Sequence, residues 1–291
     1  MSDDARPPIG DVVREIVRAS AASVVDTRGA ALADETDGVH RHRTAVRRVR
    51  SVLAAFAPPL DLAAARRVRV VFAEWGGQLG VVRDAEVRAD AAAQALEKQQ
   101  IADDGIRRRL VDDELLQYQR LHARLVELAE GERLAEADAL LRDLAADPVL
   151  EGAEESARRA LRRILRREVR RVRRAAKRQD GSVERLHEVR KAGRRLRYVG
   201  EAIGAATPLF ADIVADLAAA GEAVHDLLGD HRDLVIFAER VERERARAAR
   251  AGEPVAAYDA LAAEARATAD RRLEGLDDAL ARIRTAGRPL R

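Results

Sequence analysis

The chain has 291 residues, 47% hydrophobic and 35% charged, which suits one or two globular domains with a buried core and excludes disorder throughout. Cysteine is absent, which excludes disulfides, zinc–thiolate sites, iron–sulfur clusters and thiol nucleophiles. The formal charge of +3 conceals segregation, since residues 158–199 carry eighteen basic and four acidic side chains while residues 103–155 carry seven basic and fifteen acidic, an arrangement that focuses a field on anions.

Arginine supplies nearly all the positive charge, the lysines being Lys98, Lys177 and Lys191; guanidinium forks grip phosphate bidentately and stay charged. Residues 1–8 read as a flexible tail. The start MSDDARPPIG lacks the basic-then-apolar order of a secretory signal, and no apolar run approaches the roughly 18 residues that span a bilayer, so the expectation is a cytoplasmic protein without a membrane segment. From there on the apolar residues recur with helical rather than strand period, and Ala, Leu, Arg and Glu dominate. The fold class is all-α. Helices are predicted near 10–32, 37–57, 61–79, 83–100, 104–130, 133–145, 149–178, 182–206, 208–228, 231–251 and 254–285, with a C-terminal tail over 286–291. Three of the starts are assigned to a capping residue followed by proline, at Asp147-Pro148, Thr207-Pro208 and Glu253-Pro254.

Two segments repeat in order. Val39-His40-Arg41-His42-Arg43 through Arg47-Arg48-Val49-Arg50 matches Leu186-His187-Glu188-Val189-Arg190 through Arg194-Arg195-Leu196-Arg197 at an offset of 147, both reading apolar-His-x-x-Arg-x-x-x-Arg-Arg-x-Arg. Leu79-Gly80-x-x-Arg83-Asp84 matches Leu228-Gly229-x-x-Arg232-Asp233 at an offset of 149. The order and near-constant offset indicate an internal duplication, with halves at about 9–147 and 148–285 packed about a pseudo-twofold axis so that equivalent helices face one groove.

On a helix, His40, Arg43, Arg47 and Arg50 fall within about 80° of one another, while Val46, Val49, Val52, Leu53 and Phe56 lie opposite. His187, Arg190, Arg194 and Arg197 form the same row, with Lys191 and Tyr198 alongside and Leu196 and Val199 opposed; Arg48 and Arg195 lie at its edge. Each row runs about 15 Å, which suits a linear polyanion better than a single phosphate. The helix from residue 154 to 178 sets Arg163, Arg166, Arg170, Arg174 and Lys177 against an apolar side and reads as an additional anion wall. Its counterpart near 11–31 offers only Arg14, Arg18 and Arg28, so the channel should be electrostatically lopsided. In the Leu-Gly-x-x-Arg-Asp segments the glycines are assigned to helix ends, Asp84 and Asp233 to the following helix starts, and Arg83 and Arg232 to pairs with acids.

These residues resemble the CHAD domains, the conserved-histidine α-helical domains, called phosins when they stand alone; the resemblance covers nearly the whole sequence. It implies two pseudo-symmetric helical bundles around a basic channel that binds inorganic polyphosphate, and association with polyphosphate granules. Carried over residue by residue, it implies phosphate contacts from His40, Arg43, Arg47, Arg50, His187, Arg190, Lys191, Arg194 and Arg197. Composition and spacing by themselves give only a duplicated cationic helix face.

Catalytic patterns are not found, so a non-enzymatic, cofactor-free role is expected. His187-Glu188 is followed by Lys191 where a zinc helix requires its second histidine. The His225-Asp226 pair with Asp230 and Asp233 reads as a solvated acidic face. Glu242-Arg243-Glu244 lies in helical sequence and lacks the strand and lysine of a triphosphate-tunnel enzyme. A membrane-surface helix is set aside because interfacial aromatics are missing. Nucleic acid presents the same phosphates, but single-strand binders stack bases on aromatic rings and this chain is 3% aromatic. From the residues alone the choice between polyphosphate and nucleic acid stays open, as does a helical protein adaptor; the resemblance favours polyphosphate. If the histidine pKa values are near 6.5, protonation of His40 and His187 is expected to tighten binding.

Overall fold

Strong helix formers dominate the sequence, and the computed structural model, which describes residues 7–57, 62–148, 150 and 152–290, is built of helices and their connections, with isolated bridges such as Pro8–Ser156. In chain order the helices are α1 (Ile9–Leu32), α2 (Gly38–Ala55), α3 (Leu62–Lys98), α4 (Asp104–Arg107), α5 (Asp113–Ala129), α6 (Glu132–Ala146), α7 (Ala157–Arg178), α8 (Val183–Ala206), α9 (Ala211–Arg250), α10 (Ala256–Leu273) and α11 (Leu276–Ala286). One π-helical turn, Arg108–Asp112, joins α4 to α5, and Arg288–Leu290 forms a closing 3₁₀ turn.

Two expected breaks are absent. α3 and α9 run without interruption through Gly80 and Gly229, for 37 and 40 residues. A helical glycine costs only about 1 kcal/mol relative to alanine, whereas the apolar stripes Trp75, Leu79, Val82, Ala85, Ala89 and Val224, Leu228, Phe237, Val241 are buried along both helices. Burying such stripes outweighs the two glycines. Conversely, the single helix expected over 254–285 is divided at Gly275 into α10 and α11. A Cβ at Gly275 would stand 3.2 Å from Leu227 Cδ1, so the junction is pressed against α9.

The prolines lie ahead of the helices rather than in their first turns. α9 begins after Phe210, which adopts a left-handed conformation with φ 64°. α7 begins at Ala157 because the preceding residues are engaged elsewhere: Ile9 N–H donates to Glu155 O (2.8 Å), Gly10 N–H to Ala153 O (2.9 Å) and Ala157 N–H to Pro7 O (3.1 Å). Pro7 and Pro8, expected in a flexible tail, are therefore held against the start of α7; residues 1–6 of that tail, and residue 291, lie outside the described residues. The C-terminal segment also returns to the core, with Leu290 only 1% exposed.

One main core gathers residues from both halves of the chain, from Ile9 and Val46 on one side to Leu196 and Ile283 on the other. The far ends of α3 and α9 leave it and close a second cluster with α4, the π turn and α10, centred on Leu110, Phe237, Val241, Tyr258 and Leu261. α8 and α9 cross in backbone contact: a Cβ at Gly221 would stand 2.7 Å from Gly193 O and 2.8 Å from Arg197 N. α2 packs on α1 and α3 and also touches α8, which brings the two His-x-x-Arg helices side by side. No helix among the described residues is long and apolar enough to cross a membrane.

Candidate functional site

The geometry of the site follows from which faces of α2 and α8 are apolar. Val39, Val46, Val49 and Leu53 on α2, and Leu186, Val189, Leu196 and Val199 on α8, are buried, so the opposite faces carry the basic rows outward. Between the helices Arg47 lies near enough to Arg43, Arg190 and Arg194 to lower their proton affinity. Burial first, then Arg47, pushes Arg194 down to about 10; burial and neighbouring cations also lower Arg43 and Arg190.

Three of these four groups form no direct ion pair, although Asp233 and Asp226 act on Arg190 from farther off. Among the described residues neither Arg47, Arg190 nor Arg194 forms an ion pair; Arg47 donates to Thr44 Oγ1 at 3.1 Å, and the Nε atoms of Arg47 and Arg190 are buried without a partner. Confined cations without counter-charge are costly unless an anion completes them. Arg43 is the exception, with Nη1 3.3 Å from Asp84 Oδ1.

The Leu-Gly-x-x-Arg-Asp segments have a different task from the one expected. Gly80 and Gly229 are mid-helix platforms: a Cβ there would lie 3.5 Å from Arg43 Nη2 and 3.1 Å from Arg190 Nη2, respectively. At Gly229 the missing side chain makes room for the Arg190 guanidinium, whereas at Gly80 a Cβ would meet Arg43 in ordinary contact. Asp84 and Asp233 follow one turn later on the same helices; Asp233 is raised by burial, against the pull of Arg190 and Arg232. Arg83 pairs with Glu86 at 2.8 Å.

His40 and His187 stand at the same ends of the two rows, each half-buried. Both are held below 6.5, first by burial and then by surrounding cations, chiefly Arg83 for His40 and Lys191 for His187. Both therefore depart from the expected reference values, and the free protein favours their neutral rings. A third ring, His225 on α9, was not assigned to the site by sequence. Its Nδ1–H donates to Asp226 Oδ1 at 3.0 Å, its Nε2 is buried without a partner, and burial together with Arg190 and Arg194 lowers it to about 4. By contrast His42, also buried, belongs to the core. Trp75 Nε1 donates to its Nε2 (2.9 Å), which leaves Nδ1 3.0 Å from Thr27 Oγ1 as the donor.

Other residues of the repeated motif, Arg48, Arg197, Arg195 and Lys191, are paired with carboxylates, the last two while still lining the groove. Arg48 pairs with Glu201 and lies 5.6 Å from the Tyr198 ring centroid. Arg197 is bound by Glu201 (2.7 Å) and Glu222 (2.9 Å); burial opposes the shift, but these carboxylates hold its pKa above normal. Arg195 closes on Glu168 at 2.7 Å, a carboxylate only 1% exposed, and donates to Ala54 O at 2.9 Å. Tyr198, expected beside the cationic face, is 2% exposed. Lys191 is exposed and paired with Glu188.

Two depressions open along the groove; Arg47 and Arg194 of the cluster line one of them, whereas Arg43, Arg190, His40, His187 and His225 line neither. One of about 430 Å³ lies between α2, α3 and α8 and includes Arg47, Arg50, Arg66, Arg69 and Arg194. The other, about 600 Å³, lies between α7 and α8 and includes Arg171, Arg174, Arg178 and Arg185. Lys191 and Arg195 border both, so the cationic surface is continuous from α3 to α7. Arg66, Arg69, Arg171, Arg178 and Arg185 were not picked out by sequence; the i, i+3 pair Arg66 and Arg69 is the signal that pointed there. The α7 wall is divided: Arg174 faces the groove, Arg163, Arg166 and Arg170 line a separate depression of about 420 Å³, and Lys177 is exposed in the last turn. On α1, Arg14, Arg18 and Arg28 are each paired, with Asp11, Glu15 and Asp138. No group of three or more His, Asp or Glu side chains placed to hold a metal occurs among the described residues.

A family model described as CHAD domain matches residues 15–242. Uncharacterized proteins from two strains of Mycobacterium tuberculosis are 30% identical over 292 aligned positions, covering 98% of this chain and 55% of each relative; the chain thus spans about half the length of the curated relatives it matches. Among solved structures, PptA from Streptomyces chartreusis aligns with a TM-score of 0.71 at 20% identity, covering 96% of this chain and 99% of its own. The CHAD domain from the plant Ricinus communis aligns with a TM-score of 0.68 at 22% identity, covering 100% and 95%. At these identities the structural likeness concerns the fold.

Proposed function

This chain belongs to the CHAD domain family, and on that premise we propose that it binds inorganic polyphosphate along the groove between α2 and α8, with no chemistry of its own. The observation that carries the reading is the convergence of Arg43, Arg47, Arg190 and Arg194, three of which form no direct ion pair among the described residues, Arg190 feeling Asp233 and Asp226 only from farther off. A chain of phosphates laid along α2 and α8 supplies the missing counter-charge, and release of its condensed cations adds entropy. His40, His187 and His225 add ring nitrogens beside the same guanidiniums. The recurrence of helix order and motif supports a duplicated unit whose two copies each contribute one wall.

Absence of stacking surface favours polyphosphate over nucleic acid. No aromatic residue lines either depression of the groove, and Tyr198 is buried beneath Arg48 and Arg197, whereas single-stranded nucleic acids gain from stacking on exposed rings. Through such binding the protein would associate with polyphosphate granules. The test is calorimetric titration with long-chain polyphosphate at near-physiological salt, with and without excess RNA. Submicromolar binding that RNA barely reduces is expected; equal competition by RNA would leave a general polyanion site in place of a dedicated one.

A further inference from the structure

α7 carries arginine on two flanks, and the groove uses one of them. Arg171, Arg174 and Arg178 face α8. On the other flank Arg158, Arg159, Arg162, Arg163, Arg166 and Arg170, with Ser156, line the separate depression of about 420 Å³, which shares no residue with the two depressions of the groove. Only Arg163 of these six is neutralised by an ion pair among the described residues, with Glu155 at 2.7 Å. Arg162 keeps a buried Nε without a partner. Arg158 and Arg162 are steadied by Phe210, whose centroid is 5.2 and 5.8 Å from their guanidinium carbons, so part of the flank is pre-organised rather than freely solvated. Arg159, Arg163, Arg166 and Arg170 follow one another at three- and four-residue spacing over about 16 Å of helix.

We propose that this outer flank of α7 is a second phosphate-binding surface, occupied independently of the groove, which lets one protein molecule hold two separate stretches of polyphosphate. The ligand class follows from the lining. Its lining offers guanidiniums and one hydroxyl, and the nearby Phe210 ring, taken up by Arg158 and Arg162, is not part of that lining, so the depression recognises phosphate. Identification of the polyanion as polyphosphate rests on the reading of the groove; the existence of a second site does not. A protein with two such surfaces cross-links its ligand, which suits the surface of a condensed polyphosphate body better than a single site does.

Tripolyphosphate is the probe, being short enough to report single sites. Calorimetric titration of the full chain at low salt is expected to give two sites per molecule. Arg159→Gln with Arg166→Gln and Arg170→Gln should leave one, as should Arg47→Gln with Arg194→Gln, each variant being checked for helicity and melting temperature. With long-chain polyphosphate, the flank variant should keep its affinity within about threefold while losing the light scattering that marks cross-linking. One site in the unmodified protein, or unchanged stoichiometry in a folded flank variant, would overturn the inference and leave the groove reading intact. Loss of all binding in the flank variant, with none in the groove variant, would instead overturn the groove. Filling of the flank by single-stranded RNA but not tripolyphosphate would overturn it in favour of nucleic acid. A charge-reversed flank variant, Arg159→Glu with Arg170→Glu, decides the matter should the glutamine variant lose too little charge to resolve.

Discussion

Arg194 and Arg195 are adjacent in sequence and end in opposite surroundings. Arg194 faces Arg47, Arg190 and Arg43 with no acid beside it, while Arg195 closes on Glu168, which also receives Arg171 at 3.2 Å. The same division recurs on α2, where Arg47 joins the cationic cluster and Arg48 pairs with Glu201. One residue step turns a helix by about 100°, enough to send the first arginine of each Arg-Arg pair into the cationic cluster and the second onto a glutamate of a neighbouring helix. The lesson is that an arginine's role is set by whether a carboxylate waits where it lands.

That contrast is broken most severely at Glu168. Replacing it by glutamine leaves Arg195, Arg171 and the nearby Arg167 around a buried site without counter-charge, and stability is expected to fall by about 3–5 kcal/mol, measured by denaturant unfolding. Polyphosphate affinity per folded molecule should change little. Arg47→Ala with Arg194→Ala is the mirror case. It removes mutually repelling cations, so unfolding stability should stay within about 1 kcal/mol of the parent or rise, while polyphosphate affinity falls by about 100-fold or more.

A smaller effect sharpens the comparison through pH. His40 and His187 titrate below 6.5 in the free protein because of burial and adjacent cations. A bound polyanion reverses the local field and raises both, so the complex holds more protons than the free protein. Affinity should therefore increase as pH falls from 7 toward 5.5, and His40→Asn with His187→Asn should flatten the profile. The charged groups that share this field are Arg83, Asp37, Arg47 and Arg43 around His40, Asp37 alone acting to raise it, and Lys191, Arg232, Arg190 and Arg194 around His187. Stability of the free protein runs the other way. Its depressed histidines, including His42 and His225 at about 4, bind protons more readily when unfolded, so stability present above pH 6.5 is lost as pH falls toward 4.

How far the sequence led depended on where the deciding partner lay. The faces of α2 and α8 were legible because valine and leucine alternate with arginine at helical spacing, and the four arginines of the cluster follow from them. That Arg48, Arg195 and Arg197 are neutralised is not legible in the repeated motif because Glu201, Glu168 and Glu222 lie outside it, and Arg195 still lines the groove. Gly80 and Gly229 read as helix ends because glycine is common there; that each faces a guanidinium from another helix is a tertiary fact. His225 was set aside with its acidic neighbours, since only the α8–α9 crossing brings it to Arg190 and Arg194.

The central claim, that the carboxylate-poor cluster between α2 and α8 holds the polyanion, is tested most directly by titrating long-chain polyphosphate into Arg47→Glu with Arg194→Glu at near-physiological salt, beside Arg48→Ala as the structural counterpart. A folded double variant that has lost groove binding at least 100-fold, with Arg48→Ala within about threefold of the parent, is the predicted result. A folded double variant that binds as the parent does would contradict it.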